Sequence, residues 1–210
     1  MKRKPAGQPN GGQFAPSAVP APTAAPLVSK DGVNVYDQDG QSVDLNVLYE
    51  QFRAAENKAG ESEDAYSEML HADQKFKAAA RAEEQGMVTK FYTVLDADAN
   101  DLFAKRIQDE QDISFEEARE LVDDDGADTK QEMLLNQYAI IRNHCDEGDR
   151  IEVEEALMDP ARTDNSTRRA FANDASDEDL IFRLAEQAAA GDRSIQDGLS
   201  RNPAYQSLFS

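Results

Sequence analysis

Apolar and small residues recur at alternating spacings of three and four between Leu45 and Ala80: Leu45, Leu48, Phe52, Ala55, Ala59, Ser62, Tyr66, Met69, Asp73, Phe76 and Ala80. That spacing marks one face of a helix lying against another helix. Ser62 and Asp73 are weak positions in the seam, and Gly60 interrupts it. The pattern therefore predicts two helices folded back on each other, with Gly60 capping the first and Ser62 opening the second. Val88, Phe91, Val94 and Leu95 continue the apolar face until LDADANDLF breaks it. The acids of that break are expected to cap a helix carrying Leu102, Phe103 and Ile107, because carboxylates favour helix N-termini. Ser114-Phe-Glu-Glu117 is a capping box, with Ile113 and Ala118 placed as a hydrophobic staple, and the helix it opens is expected to end in DDDGAD at Gly126. A second box, Thr129-Lys-Gln-Glu132, is expected to start the helix bearing Leu134, Tyr138, Ile141 and Cys145.

Ahead of these helices the pattern changes period. In GVNVYDQDGQSVDL, Val33 and Val35 alternate with polar residues before Asp39-Gly40, a dipeptide suited to a tight hairpin turn, so a small β-hairpin is expected over 31–43. Residues 1–30 hold six of the eight prolines, separated by Ala, Gly and Gln. Proline fixes φ and lacks an amide donor, so this stretch is expected to be a disordered tail.

The last sixty residues carry a pattern that returns three times, in Gly148 to Ala161, Thr163 to Ser176 and Gly191 to Ala204. In each pass an Asp (Asp149, Asp164, Asp192) opens a short helical run, and a breaker closes it at Asp159-Pro160, Asn173-Asp174 or Asn202-Pro203. Stacked helical units of this kind offer a quasi-one-dimensional binding surface. The stretch from Asp164 to Ala185 resembles one unit of the leucine-rich repeat variant, an all-helical solenoid. Asn173-Asp174 stands where that family has Asn-Pro, Leu180 and Leu184 supply its second-helix leucines, and Asn202-Pro203 restores the motif. The spacing is irregular: Asp149 lies 15 residues before Asp164, and Asp164 lies 28 before Asp192. Some members of that family carry an iron–sulfur domain, which needs more cysteines than this chain's one. The resemblance implies a shared core containing Phe171, Leu180, Leu184 and Leu199, with Arg168, Arg169, Arg183 and Arg193 exposed to a partner. At the other end, KRKPAGQPNGGQFA resembles the PAG-x-P-x-GGQFA signature at the N-termini of actinobacterial proteins, several of them associated with phages or mobile elements. That likeness implies a bacterial setting and makes Phe14, beside a basic end, a candidate docking residue.

Charge sharpens this picture. Residues 1–30 carry four bases and no acid, 31–159 carry 34 acids against 12 bases, and 160–210 carry 8 against 6. An acidic middle repels nucleic acid and anionic membrane and attracts basic partners or cations. Aromatic residues are only 7% and Trp is absent, which suits closely packed helices better than a sandwich or barrel. Cys145 is the only cysteine, so no intramolecular disulfide can form. With no apolar run long enough for a bilayer and no hydrophobic leader at the start, the chain is expected to be cytoplasmic.

Reactive constellations are scarce. Asp37-x-Asp39-Gly40 and Asp96-x-Asp98-x-Asn100 begin like calcium loops, but their twelfth positions are Leu48 and Ile107, where a chelating Glu is needed. His71 has no His or Cys nearby, and His144 precedes Cys145 on a helix where neighbours point about 100° apart. There is no phosphate loop. No catalytic residue, metal ligand or cofactor site is therefore assigned.

The expected molecule is mainly α: a disordered basic tail (1–30), a small β-hairpin (31–43), an acidic helical domain containing a helical hairpin (44–147), and a short irregular α-solenoid (148–210). The expected function is that of a non-catalytic protein–protein interaction protein, with Phe14, Arg168, Arg169, Arg183 and Arg193 as candidate partner-binding residues. An acidic DNA mimic that inhibits a DNA-binding enzyme, and a phage assembly protein, are the alternative readings.

Overall fold

The computed structural model describes residues 28–29, 35–36, 41–122 and 126–209. Phe14 and the expected tail up to residue 27 lie outside these residues. The described chain is mainly α, with helices α1 (Leu45–Glu56), α2 (Glu63–Asp96), α3 (Ala99–Gln111), α4 (Phe115–Glu120), α5 (Gly126–His144), α6 (Glu147–Met158), α7 (Asn165–Asp174), α8 (Glu178–Ala189), α9 (Arg193–Leu199) and α10 (Pro203–Leu208).

Three two-residue strands precede the helices: β1 (Val28–Ser29), β2 (Val35–Tyr36) and β3 (Ser42–Val43). β2 and β3 pair antiparallel, Val35 opposite Val43, as the expected hairpin requires. β1 adds a third strand, Val28 opposite Tyr36, so the sheet begins at Val28, inside the span 1–30 expected to be tail. Val35 is buried with Leu48, Ala79 and Ala82, which seats the small sheet on α1 and α2.

α1 and α2 form the expected antiparallel hairpin. Asp44 caps α1 by accepting from the Asn46 amide, and Ser62 caps α2 by accepting from the Ala65 amide. The first helix ends earlier than Gly60. Asn57 closes it in right-handed conformation, its amide reaching the Arg53 and Ala55 carbonyls, so no left-handed glycine is required. The inner seam also differs by one residue from the expected one. Tyr66 is 52% exposed, while its neighbour Ala65 turns inward with Met69, Ala72 and Phe76. Beginning with Ala65, spacings of four, three and four keep the inward side chains on one face of a 3.6-residue helix.

α2 is a single helix of 34 residues, about 51 Å long at 1.5 Å per residue. Its N-terminal part lies in the hairpin; its C-terminal part enters the main core through Met87, Phe91, Val94 and Leu95. There it meets α5, whose Leu134, Tyr138 and Ile141 are buried in the same cluster. Asp98 caps α3 through the Asn100 and Asp101 amides, and Ser114 with Glu117 completes the capping box of α4. α4 stops at Glu120, short of the expected Gly126. Gly126 instead begins α5 against Ala99 and Asn100, leaving no room there for a Cβ, so Thr129 falls inside the helix rather than at its cap.

The core continues without a break into the C-terminal helices. Tyr138 meets Phe171 edge to face at 5.1 Å between ring centroids, and Val153, Leu157, Leu180, Ile181, Leu184, Ile195 and Leu199 fill the interior. Phe171, Leu180, Leu184 and Leu199 are buried as expected. Asp164 and Asp192 cap α7 and α9. Asp149 does not open its helix: Asp146 caps α6, and Asp149 lies in the first turn, donating its amide to Asp146 at 2.9 Å. α9 lies directly on α7 because Gly198 carries no side chain; a Cβ there would collide with the Arg169 carbonyl and the Ala172 Cβ. Asn202 ties the stack together, its fully buried amide donating to the carbonyls of Ala172 at 2.8 Å and Ala175 at 2.7 Å. Among the described residues no helix is long and apolar enough to cross a membrane.

Candidate interaction surfaces

Two clusters of polar groups that could do chemistry are held by other groups of the chain. Glu84, Asp146 and Asp149 bring carboxylate oxygens within 4.8 Å of one another, a spacing open to a cation. Arg81 already fills that place: its Nη1 lies 2.5 Å from Asp149, 3.0 Å from Asp146 and 3.1 Å from Glu84. The hydrogen bond to Asp149 and those around it hold the guanidinium firmly charged, above its ordinary range. Beside this cluster, Cys145 places Sγ 3.8 Å from the Glu84 carbonyl and 3.9 Å from the Met87 sulfur. Burial, reinforced by the charges of Glu84, Asp149 and Asp146, pushes its thiol up to about 11, so it stays protonated and poorly nucleophilic at neutral pH. His144 points into solvent.

The most deeply buried charge is Glu154, 1% exposed on α6. Tyr138 donates its hydroxyl to Oε1 at 2.7 Å, Arg183 donates to Oε2, and the Arg150 Nε lies 3.7 Å from Oε1. Burial and the hydrogen bond to Glu154 raise the Tyr138 phenol well above its ordinary range, keeping it a neutral donor. The result is a polar clasp joining α5, α6 and α8. A cavity of about 260 Å³ opens between α5 and α7, lined by Tyr138, Arg142, Phe171 and Asp174 among others. Tyr138, Arg142 and Asp174 there have partners: Tyr138 on Glu154, Arg142 on Ser176 at 3.1 Å, and Asp174 accepting from Asn173 at 2.7 Å.

The candidate arginines fare unequally. Arg168, expected at the surface, is only 5% exposed; it donates to Asp192 and, at 2.6 Å, to Asn165, linking α7 to the cap of α9. Arg183 is half-buried on Glu154, and Arg169 is half-buried, its backbone carbonyl against Gly198 of α9 and its Nε enclosed without a hydrogen-bond partner. Arg193 alone of the four is fully at the surface. Arg168 and Arg183 thus join helices to one another, because the acids that the stack buries need cations and these two arginines are within reach.

Two other surfaces expose large apolar groups. At the C-terminal end Phe182, Leu208 and Phe209 are exposed, and Phe209 meets Phe182 edge to face at 5.6 Å and Tyr205 at a tilt at 4.7 Å, so these rings partly cover one another. At the opposite end of the chain, no residue from Tyr49 to Ala78 is buried. The hairpin is a two-helix arm held at its base by Leu48, Phe76, Ala79 and Ala82, with Tyr49 against Phe76 at 5.5 Å. Its outer faces show Val47, Tyr66 and Leu70. Reading the arm as a single seam placed Tyr66 inside; the sign of a second face was the pair Tyr66 and Leu70, four residues apart and both large. No protein-family model, curated protein or solved structure matches the chain.

Proposed function

We infer that this chain is a non-catalytic protein–protein interaction protein whose docking element is the arm formed by α1 and the first half of α2. The observation that carries the reading is the absence of any buried side chain from Tyr49 to Ala78, while Tyr66 and Leu70 stand exposed on one side of α2. A two-helix hairpin shields one face of each helix and leaves the others to water; apolar side chains on those faces gain burial when a further helix arrives. The committed state of Arg81, Cys145 and Glu154 supports the non-catalytic half of the reading, since each reactive group is held by the fold. The core that α2 shares with α5 and α6 serves as the support, and the resemblance of the N-terminal stretch to a signature of mobile-element-associated proteins supports a bacterial partner.

A photo-cross-linking residue at Tyr66, introduced into the full chain in its native host, tests the reading. The expected result is a discrete cross-linked product that disappears with Leu70→Asp and is absent when the label sits at exposed Glu116. Equal labelling from both positions, or none from Tyr66, overturns it. Recovery of a DNA-binding enzyme displaced from DNA would instead favour the mimic.

A further inference from the structure

The exposed stripe of α2 carries charged ends that complement its own reverse. Glu63, Tyr66, Leu70, Gln74 and Lys77 lie three to four residues apart, so they share one side of the helix, opposite the inward Ala65, Met69, Ala72 and Phe76. All five are exposed. An acid stands at one end, a base at the other, and the two large apolar groups lie between. We propose that the arm pairs with the arm of a second copy, α2 against α2 antiparallel, about a twofold axis beside Leu70. The proposal rests on the interaction reading above and names the partner.

Antiparallel pairing about Leu70 sets Leu70 on Leu70, Tyr66 against Gln74, and Glu63 against Lys77, twice over by symmetry. A twofold interface requires this self-complementarity, since each residue must suit the surface it meets when the helix is reversed. Lys77 is already 2.8 Å from Asp73 of its own helix, which holds the ammonium on this side of α2 for the incoming Glu63. Parallel pairing would instead set Glu63 on Glu63 and Lys77 on Lys77.

The net charge of −20 argues against most ways of bringing two copies together. This contact is the exception for two reasons. Residues 45–80 hold 7 acids and 4 bases, whereas residues 81–159 hold 23 acids and 8 bases, so the arm is the less charged of the two. The antiparallel arrangement also sends the two bodies in opposite directions. Leu70 is 21 residues from Phe91 along α2, about 31 Å, which places the two cores about 60 Å apart, many times the screening length of about 8 Å at physiological salt.

Sedimentation velocity of the full chain from low micromolar to several hundred micromolar tests the pairing. The wild type is expected to pass from monomer to dimer over that range, and Leu70→Asp to remain monomeric with unchanged far-ultraviolet circular dichroism. Glu63→Lys alone and Lys77→Glu alone are each expected to weaken dimerisation about ten-fold, from the replacement of two attractions by two repulsions. An equal mixture of those two variants is expected to recover a dimer, because a stripe with Lys at both ends then meets one with Glu at both ends. The direction is read from the single variants, which weaken only an antiparallel pair, since a parallel pair already sets like charge on like charge. A wild type that stays monomeric, a dimer indifferent to Leu70→Asp, or a mixture no tighter than its components overturns the proposal. A monomer that still yields a discrete host cross-link from Tyr66 refutes self-pairing and leaves the interaction reading standing; a chain that does neither refutes both.

Discussion

The two ends of α2 belong to two kinds of structure. Toward its C-terminus the helix enters a core where Phe91, Leu134, Ile141, Leu157, Leu180, Ile181 and Leu184 are almost wholly enclosed, and where even Glu154, Arg168 and Asn202 are buried with partners. Toward its N-terminus the same helix meets one short neighbour and buries nothing before Ala79. Helix capping is equally good at both ends, Ser62 in the arm doing what Asp164 does in the stack. The difference is tertiary. Local signals suffice to start a helix, but its stability in water comes mainly from packing one face, and the arm has a single partner for that. A region so constituted opens at low free-energy cost, while the stack opens only with the molecule as a whole.

The contrast can be broken by mutation, most severely at Leu180 and Glu154. Leu180→Ala is expected to cost about 2–5 kcal/mol and to loosen α9 along with α8, visible as faster amide exchange in Arg193 to Leu199. Glu154→Ala strands the buried Tyr138 hydroxyl and leaves the half-buried Arg183 guanidinium without its carboxylate, and is expected to cost about 3 kcal/mol in chemical denaturation; a loss below about 1 kcal/mol would mean water reaches the clasp. Gly198→Ala forces α9 off α7 and is expected to cost about 1–3 kcal/mol, read as a lower melting temperature. Asp164→Ala removes a cap and is expected to cost about 1 kcal/mol at neutral pH. Burial works to raise the Asp164 carboxyl, but hydrogen bonds from Ser166 and Thr167 outweigh it and hold it below its ordinary 3.8. Its stabilisation is therefore complete above that value and fades as pH falls through the folded-state value, so the gap between wild type and variant should close in acid. The smallest effect belongs to the arm. Tyr66→Ser should change the stability of the monomer by no more than about 0.5 kcal/mol, and arm amides should exchange well before those of α5 to α9; protection as strong as that of α8 would erase the contrast.

Much of this was legible because helix starts are local. Ser62, Asp98, Ser114, Asp164 and Asp192 are caps with sequence signatures and serve as caps in the fold, whereas Asn202, expected only to close a run, also opens α10. Asp149 misled because Asp146, three residues earlier, is an equally good cap, and Arg81, distant in sequence, holds both carboxylates. The roles of the arginines were illegible for a related reason. Arg168 finds Asp192 and Arg183 finds Glu154 across 24 and 29 residues, and no periodicity records which acid a stack will bury. The exposed stripe of α2 was hidden by a phase error of one residue: with Tyr66 counted into the seam, the outer face had only Leu70 to announce it.

The continuity of α2 also limits how this molecule can change in evolution. Because one helix carries the stripe at one end and core residues at the other, any insertion between Leu70 and Ala79 turns the stripe about the helix axis as well as moving it outward. Two added residues rotate it by about 200°, pressing Tyr66 and Leu70 toward α1 and turning the former inner face to water. Seven residues rotate it by only about 20° and lengthen the arm by about 10 Å, provided α1 lengthens to match. Viable descendants of this chain should therefore differ in arm length by heptads, with α1 and α2 gaining or losing them together.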